Sequence, residues 1–466
     1  YMMYNYVPNP KTIFESVYQL PPSSYIKFEL VDLKFKKTQN FHNLISEKYV
    51  DYKKWWNIEN HYNKNNQKID HIKNIEIILS KSIKNRLISD VPLGAFLSGG
   101  IDSSLTVALM QKLQNNTKTF TIGFEDANYD ESQYAKKISN YLDTDHTEYK
   151  MSKNNLLEII PTINEAYTEP FADSSQLPTF LISKIARDNV KVILSGDGGD
   201  ELFGGYNRYL FANKYFKYIN ILSNFYGMNL LKLFLFIPTP LLPTILRLLI
   251  LKGNKNNYNI EKIINKLKSI KNKSSFYRAL TQEWPELNNL VNDISPESKI
   301  YKFNHLFESE SINFEDSMMM ADFQSYLPDD ILCKVDRASM FFGLEARTPF
   351  LNHELIEYSQ SIPIHEKIYQ GKTKVLLKKI LSKYVPEEYF KRPKSGFAIP
   401  ISEWMKNDLK DWVNDSLSFE ICKKHNLFNY DTVNRIKTDH FNGNINNEHK
   451  LWSLIQFNNW YLRYMN

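Results

Sequence analysis

Cysteine is nearly absent from this chain. Two occur in 466 residues, Cys333 and Cys422. They lie far apart, and no Cys/His spacing suits a structural metal site. A disulfide framework is excluded, and a reducing, cytoplasmic setting is expected. A basic tract is also lacking. Lys and Arg outnumber Asp and Glu by 58 to 52, a net charge of +6, and the surplus is scattered. A stripe that tracks a nucleic-acid backbone is therefore not expected. No apolar run is long enough to span a membrane unbroken. The most apolar stretch, LLKLFLFIPTPLLPTILRLLIL (230–251), contains Lys232, Arg247 and three prolines. A spanning helix wants about 20 predominantly apolar residues, so buried helices around a proline turn are expected there, with no membrane partner. The opening YMMYNYVPNP is polar and proline-bearing and does not read as a signal peptide. His71, His146 and His353 are isolated and read as surface or satisfied core residues.

What is present is ordinary globular composition, 42% hydrophobic and 24% charged, in a chain long enough for two or three domains. Residues 1–70 read as a connector followed by β structure, with proline punctuation and an alternating tail in SSYIKFEL. A helical pattern runs from Ile72 through Leu87. Strand and helix then alternate. LGAFLSG, KTFTIGF (118–124), HTEYKM and VKVILSG (190–196) read as strands. IDSSLTVALMQKL, ESQYAKKISNYL, 156–166 and 177–187 read as helices. This order predicts an α/β fold with a doubly wound parallel sheet. From about Tyr206 strand signals fade, and a large, mostly helical C-terminal part is expected.

Ligands of such sheets sit beyond the carboxyl ends of the strands, so the loops after Leu97, Phe124 and Leu194 carry the interest. In SGGIDSS, Gly99 and Gly100 permit close backbone approach, and the helix that follows offers free N–H groups to an anion. Asp102 would repel a bare phosphate, so an acid there points to Mg²⁺ between the two. A bare glycine turn is as often structural, but the strand–turn–helix context favours a ligand loop. LSGDGGDELFGGY follows another buried strand. Its Asp197, Asp200 and Glu201 would usually be a solvated turn; beside Asp102 they read as metal ligands and a polar catalytic group.

Here the residues become specific. SGGIDSS resembles the pyrophosphate loop of the N-type ATP pyrophosphatases, the PP-loop superfamily. With LSGDGGDELFGGYNRY it resembles the synthetase domain of the glutamine-hydrolysing asparagine synthetase family. YLPDDILCKVDRASMFFGLEARTPFLNHEL, GKTKVLLKKIL, FKRPKSGFAIPISEW and LWSLIQFNNWYLRY agree, in the family's order. The resemblance implies ATP and Mg²⁺ as cofactors. Leu97 and Ile122 would flank the adenosine. Ser98, Gly99, Gly100, Ser103 and Ser104 would cradle pyrophosphate, and Ser195 and Gly196 would line the AMP site. Asp102 and Asp200 would hold the metal. Lys394 would be the catalytic lysine, with Asp197, Asp336 and Glu345 as polar catalytic groups, and Lys372 and Lys374 as weaker candidates for phosphate contact. The domains implied are a connector (1–70), an ATP-binding unit (71–210), a helical insertion (211–325) and a C-terminal part (326–466) that completes the site.

The implied reaction is ATP-dependent amidation of aspartate through β-aspartyl-AMP, a ligase reaction. The family's glutaminase nucleophile is an amino-terminal cysteine, and no cysteine precedes Cys333. Ammonia would thus come from a missing glutaminase domain, a partner subunit or solution, and a homodimer is allowed. Asp197 stands where asparagine makers usually carry Glu. That leaves open another carboxylate, such as a uronic acid of a surface polysaccharide, or a β-lactam synthetase-like closure. A non-catalytic ATP-binding module is the reading from outside the enzymes.

Overall fold

A computed structural model describes residues 1–29, 41–47, 50–63, 69–125, 130–210, 272–284, 287–292, 302–391 and 399–465. The apolar stretch 230–251 and Lys394 lie outside the described residues. Within them, no helix is long and apolar enough to cross a membrane.

The core is a five-stranded parallel sheet in the order β5-β4-β3-β6-β7. It comprises β3 (Leu93–Phe96), β4 (Lys118–Phe124), β5 (Asp145–Met151), β6 (Val192–Leu194) and β7 (Glu345–Arg347). A two-stranded antiparallel pair, β1 (Ser24–Phe28) and β2 (Val50–Lys54), precedes it, with the short helix α1 (Phe41–Ile45) between the two in the chain. Side chains alternate across the sheet as the period of two requires. Ala95, Leu97, Val192 and Leu194 enter one apolar cluster. Phe120, Ile122, Phe124 and Ile193 enter another.

Helices cover both faces, which is why the buried strands read as continuous apolar runs. The first cluster includes α2 (His71–Arg86), α3 (Ile101–Leu113), α4 (Ser132–Leu142) and the helix Val375–Leu381. The second includes α5 (Lys153–Ala166), α6 (Gln176–Arg187) and the C-terminal helix Glu448–Tyr464. The ends of α2 follow its sequence, since the Asp70 carboxylate accepts from the Lys73 N–H at 3.1 Å and caps the first turn. Ile193, Leu194 and Leu79 are fully buried, each contributing roughly 1.5–3 kcal/mol by leaving water.

The C-terminal part is mostly helical, as its sequence suggests, but it also supplies a fifth strand where strand signals fade after Tyr206. β7 pairs in parallel with β6, Leu194 opposite Arg347. It is three residues long, Glu-Ala-Arg, and lies at the sheet edge. An edge strand needs only one bonded side and half-buried positions, so it carries no apolar run to reveal it. It also tethers the C-terminal half to the sheet: the Ser195 N–H donates to the Arg347 carbonyl at 2.9 Å.

The N-terminal segment is bound into the body. The Asn9 N–H donates to the Asp329 carboxylate at 3.1 Å, and Gln19 donates to Glu169 at 2.9 Å. Tyr6, Gln19, Glu169, Asp329 and Arg337 line a cavity of about 510 Å³. Burial pushes the Asp329 carboxyl up to about 7, against the opposing Asn9 hydrogen bond and Lys302 charge.

Two outcomes follow for stability. A Cβ on Gly94 would lie 2.8 Å from the Lys118 carbonyl oxygen and 2.9 Å from a Phe120 ring carbon. Gly94→Ala is expected to cost about 1–3 kcal/mol in urea unfolding, the usual toll of overpacking. Asp329 binds its proton more tightly folded than unfolded, so it stabilises relative to neutral pH only while protonated. That contribution is complete below about pH 4 and is lost as pH rises through about 7. Asp329→Asn should remove this downward slope and raise the unfolding midpoint at pH 8. An unchanged slope would show that Asp329 ionises normally.

Candidate active site

β3 and β6 are neighbours, yet the chain leaves them toward opposite sides of the sheet. This is the switch point at which open α/β sheets bind ligands. Beyond their carboxyl ends lies a cavity of about 500 Å³. Leu97, Ser98, Gly99, Gly100, Asp102 and Ser103 line it from the β3 side, and Ser195, Gly196, Asp197, Asp200 and Glu201 from the β6 side.

The first loop is built as its composition requires. Gly99 adopts φ +72°, in the left-handed region that glycine tolerates. Gly100 is the N-cap of α3 and has no side chain to satisfy the first-turn N–H groups. The helix therefore presents an anion-favouring end. The Ser98 and Ser103 hydroxyls lie 3.0 Å apart, and Ser103 Oγ also accepts from the Ser98 N–H at 3.2 Å. The second loop packs hard against this one. A Cβ on Gly196 would sit 2.7 Å from the Ser103 nitrogen, and one on Gly199 would sit 2.6 Å from Asp102 Oδ1. The dense glycines of LSGDGGDELFGGY allow that approach.

Asp102 and Asp200 converge on one ammonium. Lys374 Nζ bonds to Asp102 Oδ2 and lies 2.7 Å from Asp200 Oδ1. Lys374 precedes the helix Val375–Leu381, with its backbone at φ 52°. Burial alone would lower its affinity for a proton, but the two carboxylates outweigh burial and hold it above the ordinary lysine range. A Cβ on Gly205 would overlap both Asp200 Oδ1 and Lys374 Cε. Lys378 lines the same wall, and burial together with the Lys374 and Lys372 charges lowers its pKa.

A second cation enters from the helix Cys333–Phe341, which packs on α6 through Phe180 against Phe341 and Phe342. Lys334 is 8% exposed. Its Nζ donates to Asp173 Oδ2 at 2.6 Å and to Ser175 Oγ at 2.8 Å. Burial would raise the Asp173 carboxyl, but Lys334 and the Ser175 hydrogen bonds pull it down to about 2. Behind them Asp330 is 4% exposed; burial, then the Asp173 charge, pushes its pKa well up. Burial also raises Asp197, against the Ser195 hydrogen bond and Lys334. Glu201 is pushed up to about 8 by burial and by Asp200, while the Tyr206 hydroxyl donates to it at 2.6 Å.

The other expected residues fall elsewhere. Ser104 and Ile122 are buried behind the cavity rather than on its wall. Asp336 lines the neighbouring cavity. Glu345 is exposed on β7 and accepts from Arg347 at 2.6 Å. Lys372 is exposed in a turn. Asp173, Ser175, Tyr206, Tyr326 and Lys334 line the cavity without having been singled out. Tyr206, Tyr326 and Lys334 lie within the quoted motifs, whereas Asp173 and Ser175 belong to a DSS run that reads equally as a helix cap.

Among the described residues, no group of three or more His, Cys, Asp or Glu side chains is placed to hold a metal. Two carboxylates facing one cation position nevertheless suit Mg²⁺, which takes one or two carboxylates and fills its shell with water and phosphate oxygens.

A profile of the asparagine synthase family matches residues 74–462. The chain is 28% identical over 470 residues to asparagine synthetase [glutamine-hydrolyzing] 1 of Bacillus subtilis, covering 99% of this chain and 67% of that protein. It is 26% identical over 464 residues to a putative asparagine synthetase [glutamine-hydrolyzing] of Mycobacterium tuberculosis, covering 99% and 66%. A putative relative from Methanocaldococcus jannaschii is 36% identical over 212 residues, 45% of this chain and 38% of that one. The chain thus spans about two thirds of the length of the first two.

Lys374→Met would remove the ammonium that Asp102 and Asp200 share. Removing one partner of a buried pair costs about 3–5 kcal/mol. The lower end is expected here, because the carboxylates are 12% and 19% exposed. Urea unfolding measures the loss. Millimolar Mg²⁺ should recover part of it in the variant and do less for the parent protein, because a ligand that binds only the folded state stabilises it.

Proposed function

Because the chain belongs to the asparagine synthase family, we propose that it is an ATP-dependent, AMP-forming ligase that makes an amide from a carboxylate and ammonia, with aspartate as the acceptor. The observation that carries this reading is the meeting of the glycine loop and the acid loop, with Asp102 and Asp200 converging on one cation position.

An acceptor carboxylate oxygen attacks the α-phosphorus of ATP. The bond from that phosphorus to the oxygen bridging toward the β-phosphorus breaks, and pyrophosphate leaves. Ammonia then attacks the acyl carbon, the bond to AMP breaks, and the amide forms with loss of a proton. The protein's part in the first step is to hold pyrophosphate by the N-terminal N–H groups of α3, the Ser98 and Ser103 hydroxyls and the nearby lysines. Asp102 and Asp200 would hold Mg²⁺, which when bound would supply charge neutralisation on the polyphosphate. The lysine needed by Walker-type loops is not required at SGGIDSS, because the cleaved bond is α–β and the γ group is not transferred.

Lys334 supplies a cation for the acceptor's carboxylate, and Asp173 and Asp197 supply anions nearby. Both signs of charge suit an amino acid better than a sugar acid, which supports aspartate. Lys394 is proposed as the cation that stabilises charge at the reacting centre, a role worth on the order of 3–4 kcal/mol for one preorganised donor. Glutamine hydrolysis on a further domain or subunit, or free ammonium, supplies the ammonia.

The test incubates the protein with Mg·ATP and ammonium and screens carboxylates for pyrophosphate release. Release is expected with aspartate, and Asp102→Asn should lower it by about 10²–10³-fold, as loss of a preorganised electrostatic partner does. Release with a sugar acid alone would replace aspartate as the acceptor. Folded, ATP-binding protein that releases none with any carboxylate would overturn the enzymatic reading.

A further inference from the structure

Arg208 lies outside the cavity wall but touches two residues that form it. Its guanidinium carbon sits 4.1 Å from the centre of the Tyr206 ring and 4.7 Å from that of Tyr326. Those rings meet edge to face, 5.7 Å apart at 74°, and both line the cavity. Tyr206 in turn holds Glu201, which is 2% exposed. The guanidinium is itself fixed from behind. Its Nε donates at 2.9 Å to Asp322 Oδ2. Asp322 is fully buried and also accepts from Tyr209 at 2.5 Å and Tyr277 at 2.6 Å. Among the described residues, Arg208 Nη2 is buried without a hydrogen-bond partner. The guanidinium is thus held by a carboxylate and by ring faces, which a planar, weakly hydrated cation suits and a lysine ammonium does not.

Tyr326 opens the sequence YLPDDIL, whose Leu327–Leu332 segment is a π-helical turn. Such turns have a wider hydrogen-bonding ring than an α-helix and recur at functional sites. The Arg208 guanidinium stacks on that ring where the irregular segment begins.

We infer that Arg208 is a positioning residue: by clamping Tyr206 and Tyr326 from behind, it sets the wall of the cavity and the placement of Glu201 for the second substrate. This rests on the ligase reading above. The plain structural alternative is that Arg208 only neutralises Asp322. The two differ in one respect. A positioning role acts through Tyr206, so its loss matters less once the Tyr206 hydroxyl has gone.

The experiment is a double-mutant cycle on the full chain with Arg208→Lys and Tyr206→Phe, reading kcat and KM for ATP and for the carboxylate separately. Arg208→Lys keeps a positive charge for Asp322 and loses the planar stack. It should lower kcat/KM for the carboxylate at least tenfold, since small misplacements near reacting groups are costly, with KM for ATP changed less than twofold. In the Tyr206→Phe background the same substitution should cost less than about threefold. Equal losses in both backgrounds, or a loss that follows the unfolding midpoint rather than the carboxylate, would overturn the inference while leaving the ligase reading intact. A parent protein that turns over no carboxylate would overturn both. If Arg208→Lys does not fold, Asp322→Asn in the same cycle removes the charge that orients the guanidinium and must show the same coupling to Tyr206.

Discussion

Two carboxylates that would repel each other are held on one buried ammonium, and the candidate site depends on that arrangement. Asp102 comes from the loop after β3, Asp200 from the loop after β6, and Lys374 from 272 residues beyond Asp102. Each loop must approach within a methyl group's width of the other, as the crowding at Gly196 and Gly199 shows. The sheet sets the distance between the loops, and the lysine offsets the cost of bringing their acids together. Without it, burial and repulsion would favour protonated or splayed carboxylates.

The same logic is repeated at Lys334. Asp173 precedes α6, Lys334 lies on the helix Cys333–Phe341, and the aromatic packing of the two helices brings them into contact. Both cations come from the C-terminal half and meet acids of the N-terminal half. The cavity is therefore a product of tertiary structure. Neither half carries a complete set of charges, and β7, which ties Glu345–Arg347 to the sheet, is part of what keeps them in register.

This explains which features were legible in the sequence. The two glycine loops were, because a buried strand followed by glycine, acid and hydroxyl is a local pattern. The four strands of the parallel sheet before Tyr206 and the helices between them were too, since both faces of the sheet are covered. β7 was not, because three edge residues, one exposed and two half-buried, leave no periodic trace. Asp173 and Ser175 look like a helix cap in sequence, and Asp173 does accept from the Ser175 N–H at 2.9 Å. Its pairing with Lys334 spans 161 residues and has no local signature. Asp336 and Lys334 are two positions apart on one helix, so they point to different sides. Lys334 lines the central cavity and Asp336 the neighbouring one, a distinction that residue type alone does not make.

The charge arrangement also bears on what the proposed site would accept. Lys374 and Lys334 each already face carboxylates of the protein. A bare triphosphate entering beside Asp102 and Asp200 would meet two carboxylates and could gain Lys374 only by taking it from them. A triphosphate that arrives with a divalent cation brings the positive charge those carboxylates need and frees the lysine to face phosphate oxygens. The electrostatics of Asp102, Lys374 and Asp200 therefore match the metal–nucleotide complex and disfavour the free nucleotide. Lys334, fixed by Asp173 and Ser175 on a different wall, is the cation proposed above for the anion that arrives separately.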